Sequence, residues 1–471
     1  MHKTLVDNCL LENATKNEQH MHNNTEAQHA KFVKLTTQPV GRLVTSLAVP
    51  AMVSMLVMGF YNIVDTFFVG QINTQSVAAL GIVFSYMSIV QSIAFFFGQG
   101  AGNYISRRLG HEDTHNASIM ASVGLVTTWL TGAAIAIVGL LFMEPVLRFF
   151  GSTATIMPYA CDYFTYILLG TPFIMSCFTL NNLMRHQGNA VLSMIGIMSG
   201  AVLNVILDPI LIFGFNLGVK GAGMATAFSQ VVAFTLMLML SGQRGGVAIR
   251  LSQFKPSVQR YRDIAAGGLP SLARQSAMGI AALILNHVAG IYGDSAIASF
   301  SVVSRITILA NAAMIGYGQG FQPVCGFNYG AGKFDRVRAA FIHSCKVSTI
   351  YCTILAIAGW IFAKPLVGLF VASDPEVSRI GAEVLRFQCL AFPLTGYVVM
   401  VNMFLQNIRR TVPATIMAMA RQGIFLIPAI FIGNLALGFV GVEISQAVAD
   451  AASFLLAIPL GLHALNSLGK K

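Results

Sequence analysis

Residues 43–69 read LVTSLAVPAMVSMLVMGFYNIVDTFFV, an apolar run with one ionisable side chain, Asp65. As an α-helix such a run is about 40 Å long, enough to cross a hydrocarbon core about 30 Å thick. A barrel strand needs only about ten residues to cross, so the length selects the helix. Outward from this stretch the pattern recurs. Twelve apolar runs, broken by Gly, Pro, Asn and charged clusters, follow one another to about residue 465. Of the 471 residues 55% are hydrophobic and only 10% charged, with mean hydropathy +0.69. Soluble domains carry about 25% charged residues, so an ordinary water-soluble enzyme is excluded. The expected fold class is an all-α polytopic membrane protein with twelve transmembrane helices.

Residues 1–40 are rich in Asn, His, Gln, Thr and Lys and hold no signal-peptide core, which predicts a disordered cytoplasmic tail. Its histidines, His2, His20, His22 and His29, match no metal-ligand spacing. The seven cysteines, Cys9, Cys161, Cys177, Cys325, Cys345, Cys352 and Cys389, form no CxxC or paired pattern and read as small packing residues. The net charge of +11 is explained by topology. With the tail inside, the inner loops receive Lys31, Lys34, Arg42, Arg107, Arg108, Arg185, the basic stretch 242–262, Lys333, Arg336, Arg338, Arg409, Arg410, Lys470 and Lys471. The opposite side receives only Arg148, Lys220, Lys364 and Arg379. This is the positive-inside asymmetry. It predicts a multi-pass protein of the plasma (inner) membrane with both termini cytoplasmic, and it accounts for the basic excess without nucleic acid.

A constant shift in numbering superposes one half of the chain on the other. Pro50 falls on Pro270, Gly70 on Gly290, Gly98-Gln99-Gly100 on Gly318-Gln319-Gly320, Gly110 on Gly330 and Gly221 on Gly441. Two six-span units are therefore expected, an N-lobe over 41–241 and a C-lobe over 263–471, joined by a basic cytoplasmic linker over 242–262. Both units begin on the same side, giving pseudo-symmetry about the membrane normal, and transporters built this way bind substrate between the halves. The Gly-Gln-Gly pairs lack a P-loop lysine and a strand, so close helix packing explains them better than phosphate binding.

An ionisable side chain at bilayer depth costs about 2.5–3.5 kcal/mol on insertion scales, so an intramembrane acid is a functional candidate. Asp65 ends the first span, and Asp208 lies in the last third of the fifth. Asn62 and Asp65, three apart, share a helix face, as do Asn204 and Asp208, four apart. Pro209 would free the carbonyl of Val205. Two carboxylates kept from water need compensating positive charge, and either a proton or a sodium ion meets that need. Sodium would take about five or six oxygens, from Asp65, Asn204, Asp208, the Thr226 hydroxyl and backbone carbonyls. Both ions stay open. At the repeat offset Asp65 becomes Leu285, and Asp208 becomes Pro428 or Ile427, so the architecture does not need the acids. Met55 and Met58, with Tyr61, Asn62 and Asn181, are candidates for a substrate pocket, since thioethers and rings suit flat apolar cations. Asp450, Glu443, Arg274, Arg305, Arg386 and Arg421 are weaker candidates, for which interhelical pairing serves as well as transport.

Taken in order and spacing, Pro50, Val64-Asp65-Thr66, Asn204-Val-Ile-Leu-Asp208-Pro-Ile-Leu-Ile and Gly221-Ala-Gly-Met-Ala-Thr226 resemble the multidrug and toxic compound extrusion (MATE) transporters, in the bacterial branch of DinF-like and MepA-like exporters. The likeness covers about residues 40–465. It implies an N-lobe cation site at the residues matching Asp65, Asn204, Asp208 and Thr226, with no other metal or cofactor, and a first helix that bends at Pro50. Some family members carry acids on spans seven and ten, where this sequence has Arg274, Asn286 and His287, and Gln388, Asn402 and Gln406. Glu383 stands near the start of the tenth span with Arg386 as its expected partner. The implied function is a non-enzymatic antiporter that exports cationic or amphipathic drugs against H+ or Na+ by alternating access. Lipids and small organic cations are its only expected partners. The alternative is a lipid-linked or polysaccharide flippase of the same superfamily, which needs a cationic cavity formed by residues such as Arg274, Arg305 and Arg421.

Overall fold

A backbone removed from water must bond to itself, so each apolar run becomes a helix whose ends fall where Gly, Asn, Asp or Pro stop the pattern. The computed structural model describes residues 26–243, 245–370 and 374–469. Its helices are α1 (26–37), α2 (Val40–Gly70), α3 (Thr74–Gly110), α4 (Thr114–Leu141), α5 (Met143–Phe149), α6 (Met157–His186), α7 (Ala190–Pro209) and α8 (Val219–Ser241). There follow α9 (Val258–Gly290), α10 (Asp294–Gly330), α11 (Phe334–Ile361), α12 (Ala363–Gly368), α13 (Pro375–Asn407), α14 (Thr411–Met419), α15 (Leu426–Leu437) and α16 (Phe439–Asn466). A π-helical turn, Ile210–Gly214, extends α7, and another, Ala420–Ile424, joins α14 to α15, so each of these makes one crossing.

Among the described residues, eleven crossings are long and apolar enough to span a bilayer on composition alone. The twelfth long helix is α9, which carries Arg260, Arg262, Asp263 and Arg274 and is less apolar. It begins at Val258, ahead of the expected boundary at 263, because the Ser257 hydroxyl caps it by accepting from the Arg260 N–H at 3.3 Å. The repeat holds at the level of helices: α3 and α10 are related by the same shift that superposes Pro50 on Pro270, at both their ends, and so are α4 and α11. Even the starts of the short helices α5 and α12 obey it.

The core shows how the lobes meet. At the end where residue 40 and residue 466 lie, here the basal end, one cluster of buried side chains runs through both lobes, including Leu43, Leu47, Ile105, Leu183, Phe321, Val324, Phe341 and Phe404. Toward the other, distal end the core divides. Val83, Phe164 and Ile167 belong to one cluster in the N-lobe, and Phe300, Val303 and Leu385 to another in the C-lobe. Glycines make the basal contact close. A Cβ at Gly320 of α10 would strike the backbone of Ala48 in α2, and one at Gly100 of α3 would strike Ile264 of α9. These two positions are repeat equivalents, so the seam is itself two-fold.

The expectation of a disordered tail over 1–40 is corrected in part. Residues 26–37 form a helix against the basal surface, and Leu35 is buried in the shared core. Its sequence offers little periodicity, and so short a helix is marginal alone; docking makes it stable. Lys31 donates to Asn189 Oδ1 at 2.8 Å and to the Gly245 carbonyl at 3.0 Å. Burial, with the Lys34 ammonium beside it, pulls the Lys31 pKa from 10.5 down to about 7. His29 lies 3.8 Å from the Glu112 carboxylate, whereas His2, His20, His22 and Cys9 lie outside the described residues.

Overpacking a tight seam costs about 1–3 kcal/mol. Gly100→Val and Gly320→Val should each lower the melting temperature in detergent by a similar amount. Gly81→Ala, where an added Cβ meets nothing within 4 Å, should leave it unchanged or slightly raised.

Candidate functional site

Four of the residues singled out from sequence converge in the distal half of the N-lobe. Asn204 sits one turn before Asp208 on α7, and its side-chain nitrogen donates to Asp208 Oδ1 at 3.2 Å and to Thr226 Oγ1 of α8 at 3.3 Å. Asp65 of α2 accepts at Oδ2 from the Tyr163 hydroxyl of α6 at 3.3 Å, and its carboxylate is close enough to act electrostatically on Asp208. Asp65, Asn204, Asp208 and Thr226 are all buried, Asp208 and Thr226 completely. The acids therefore do not sit at water-exposed helix ends. Two glycines of the 221–226 run allow this convergence: Gly221 lies on the backbone of Leu211 at the π turn, and Gly223 lies on the carbonyl of Tyr163. Tyr163 escaped the sequence reading, although a tyrosine in an apolar span signals a partner for its hydroxyl.

The cluster has too many acceptors. Asp65 Oδ1, Asn204 Oδ1 and Asp208 Oδ2 are buried with no donor, while both N–H bonds of the Asn204 amide already have acceptors. A bare buried acceptor costs about 1–3 kcal/mol, and three at one place demand a compensating species. A proton on one carboxylate would supply a donor. A sodium ion would draw on the three bare oxygens and the Thr226 hydroxyl, so the residues fit either ion. Among the described residues no group of three or more His, Cys, Asp or Glu could hold a metal, which leaves this mixed acid, amide and hydroxyl set as the cation candidate.

A cavity of about 100 Å³ lies next to the cluster, lined by Met58, Phe84, Met87, Gln91, Phe178 and Gln230 among others, with Gly200 and Ala201 on its α7 wall. Gly200 is one turn from Asn204, and Gln230 is one turn from Thr226, so ligand cavity and acid cluster share α7 and α8 about 5–6 Å apart along the helix axis. Of the pocket candidates, Met58 is in this wall. Met55 instead faces the C-lobe, its sulfur 3.9 Å from Gln319 Nε2. Asn181 does not line the cavity; its amide binds the Ser193 hydroxyl at 2.5 Å and ties α6 to the start of α7. The side chains of Tyr61 and Asn62 lie outside the described residues. Pro50 is buried within α2 beside Ala48 and Met52, the residues on which Gly320 and Gly316 close, so the expected bend coincides with the interlobe seam.

The C-lobe answers differently at the same places. The repeat equivalents of Gln91, Ala201, Thr226 and Gln230 are Asn311, Arg421, Gln446 and Asp450. Arg421 Nε lies 2.6 Å from Asp450 Oδ1 and its Nη2 3.3 Å from Oδ2; Gln446 donates to Asp450 at 2.9 Å, and Arg421 reaches Asn311 at 3.4 Å. Where the N-lobe keeps a cavity, the C-lobe carries a satisfied ion-pair network. Glu383 pairs with Arg379 at 3.3 Å, one turn earlier, and not with Arg386 as expected: the exposed (i, i+4) geometry brings Arg379 to it while Arg386 points into the lobe.

The family profile described as MatE matches residues 50–210 and 270–432, one stretch in each lobe. Two curated relatives are both named multidrug export protein MepA. The protein from Staphylococcus haemolyticus (strain JCSC1435) is 28% identical over 416 residues, 87% of this chain and 91% of the relative. That from Staphylococcus aureus (strain MRSA252) is 30% identical over 426 residues, 89% of this chain and 93% of the relative. A solved structure described as the outward-facing conformation of a multidrug resistance MATE family transporter of the MOP superfamily has a TM-score of 0.87 at 26% identity, covering 93% of this chain and 99% of its own.

Removing one partner of a buried ion pair costs about 3–5 kcal/mol, whereas replacing both by apolar groups is often neutral. Arg421→Met and Asp450→Leu should each lower the melting temperature sharply. The double variant should recover most of the loss, as measured by thermal unfolding in detergent.

Proposed function

The chain belongs to the MatE family, one of transporters rather than enzymes, and from that premise we propose that it is a secondary active antiporter exporting cationic or amphipathic drugs in exchange for H+ or Na+. The observation that carries this reading is the buried acceptor-rich cluster of Asp65, Asn204 and Asp208, one helical turn from an apolar cavity. Relatives named for multidrug export support the substrate class.

Coupling requires that the cation bind the two end states unequally, because a ligand with equal affinity for both shifts nothing. The cluster draws on α2, α6, α7 and α8, so loading it brings together the helices that also wall the cavity. A cavity of about 100 Å³ is smaller than the roughly 300–1,000 Å³ that drug-sized ligands occupy. Drug binding therefore needs these helices apart, and cation binding draws them together. Alternating access then proceeds by rocking the lobes about the glycine seam, with the basal and distal ends opening in turn.

Sidedness follows from charge. At the distal end Lys220 pairs with Asp162 at 3.3 Å, Arg148 with Glu144 at 3.9 Å and Arg379 with Glu383 at 3.3 Å. The basal end holds most of the remaining basic excess, which favours placing it, with both termini, at the cytoplasm of the plasma membrane. The flippase alternative has less support. Arg421 is neutralised by Asp450, and although Arg274 and Arg305 have no ion pair among the described residues, neither lines the cavity.

Efflux of a fluorescent organic cation from proteoliposomes, with proton and sodium gradients imposed separately, tests the reading. Wild type should transport uphill under one gradient, and Asp208→Asn or Asp65→Asn should reduce that transport by tenfold or more. Neither variant should melt earlier than wild type, since an added amide gives the bare oxygens a donor. Uphill transport that survives in both variants would remove the acids from coupling.

A further inference from the structure

Helix α1 touches both lobes, and it does so with opposite ends. Its first half is hydrogen-bonded to the N-lobe and the linker behind it. Gln28 donates to the Gly246 carbonyl at 3.3 Å, and Lys31 holds Asn189 of the α6–α7 turn and the Gly245 carbonyl. Its last turn is hydrogen-bonded to the C-lobe. A helix leaves its last four carbonyls without internal partners. Here Asn328 of α10 donates to the Leu35 carbonyl at 3.0 Å, Lys333 to Thr36 at 3.2 Å, and Arg336 to Thr37 at 3.4 Å and Gln38 at 2.6 Å. Two cations and an amide thus cap the negative end of the helix dipole. Arg336 also donates to Asn328 Oδ1 at 2.9 Å, which orients that amide toward Leu35. Leu35 itself is buried in the core common to both lobes, beside Gly188.

We propose that residues 26–37 are a strap across the cytoplasmic end, which locks the lobes closed on that side and must leave its C-lobe anchor before the transporter opens inward. The inference rests on the alternating-access reading. Gln28 and Lys31 fix the first half of α1 to the N-lobe and linker, and Gln38 and Pro39 join its other end to α2, so the intact strap travels with the N-lobe. When the lobes part at the basal end, its contacts with Asn328, Lys333 and Arg336 are the ones stretched. A helix of this length is about 18 Å of rigid rod and cannot lengthen to keep both ends bound. Separation also exposes Leu35, which adds an apolar component to the latch.

Cys325 reports this opening. It is fully buried, and the next residue, Gly326, packs on Ser106 of α3, across the seam that would part. In a chain with every other cysteine changed to alanine, the rate of maleimide labelling at Cys325 measures excursions of the basal end, with neither drug nor gradient present. Lys31→Ala, and separately the Lys333→Ala/Arg336→Ala pair, should each raise that rate roughly tenfold, as expected for loss of charged hydrogen bonds. Combining all three should raise it no further: without Lys31 the helix pivots about Gln38 and Pro39 and follows the C-lobe, without Lys333 and Arg336 it stays with the N-lobe, and either change alone already ends the latch. Unchanged labelling in the variants, or increases that multiply when combined, would overturn the strap. Labelling that responds as stated while proteoliposome transport is absent would uphold the strap and count against the antiporter.

Discussion

A polar group at bilayer depth has no water to fall back on, so it must find its partner inside the protein or be given one by a ligand. That constraint divides the charged residues of this chain into two kinds. Arg421 and Asp450 have each other, with Asn311 and Gln446 adding further hydrogen bonds. Asp65, Asn204 and Asp208 leave three oxygens bare. The first arrangement balances its charge within the protein. The second lacks a donor, and under the proposed coupling a cation would complete it and so report loading to the helices that carry it.

The duplicated unit makes the contrast sharper. Both lobes follow one helical plan, shown by the constant spacing of α3 from α10 and of α4 from α11. Four equivalent positions are Gln91, Ala201, Thr226 and Gln230 in one lobe and Asn311, Arg421, Gln446 and Asp450 in the other. In the C-lobe the ion pair ties α10, the π turn after α14 and α16 together; in the N-lobe Gln91, Ala201 and Gln230 line a cavity instead. The buried charges of one lobe are paired, and those of the other form the candidate cation site.

Much of the fold was legible in the sequence because it depends on length and periodicity, which a one-dimensional string preserves. Residues 43–69 and the repeated Pro50 and Pro270 carried the span count and the symmetry. The cation candidates were legible for a related reason: an acid in an apolar run is conspicuous, and Asn204 and Asp208 share a face by spacing alone. What the sequence did not reveal depends on partners distant in the chain. Tyr163 meets Asp65 across 98 residues, and Arg421 meets Asp450 across 29, on helices whose facing rotations no periodicity specifies. The error over 26–37 has the same origin. That segment docks through the Lys31 ammonium and through backbone carbonyls that Asn328, Lys333 and Arg336 cap, and composition alone reads such a segment as solvated.

The seam decides how a local binding event becomes a global one. Gly100 on Ile264 and Gly320 on Ala48 bring backbones into contact, and contact so close is lost over a small displacement rather than stretched. An interface of this kind favours being either closed or open. Pro50 sits in α2 between Ala48 of this seam and the segment that ends in Asp65, so one helix connects the cation cluster to the basal closure. If Asp65 gains and loses a cation as proposed, a rotation of the distal part of α2 would have a soft point to turn about, since proline at 50 removes the hydrogen bond to the Ser46 carbonyl. The distance between candidate site and seam is spanned by a single helix, so the proposed coupling would need no chain of side-chain rearrangements between them.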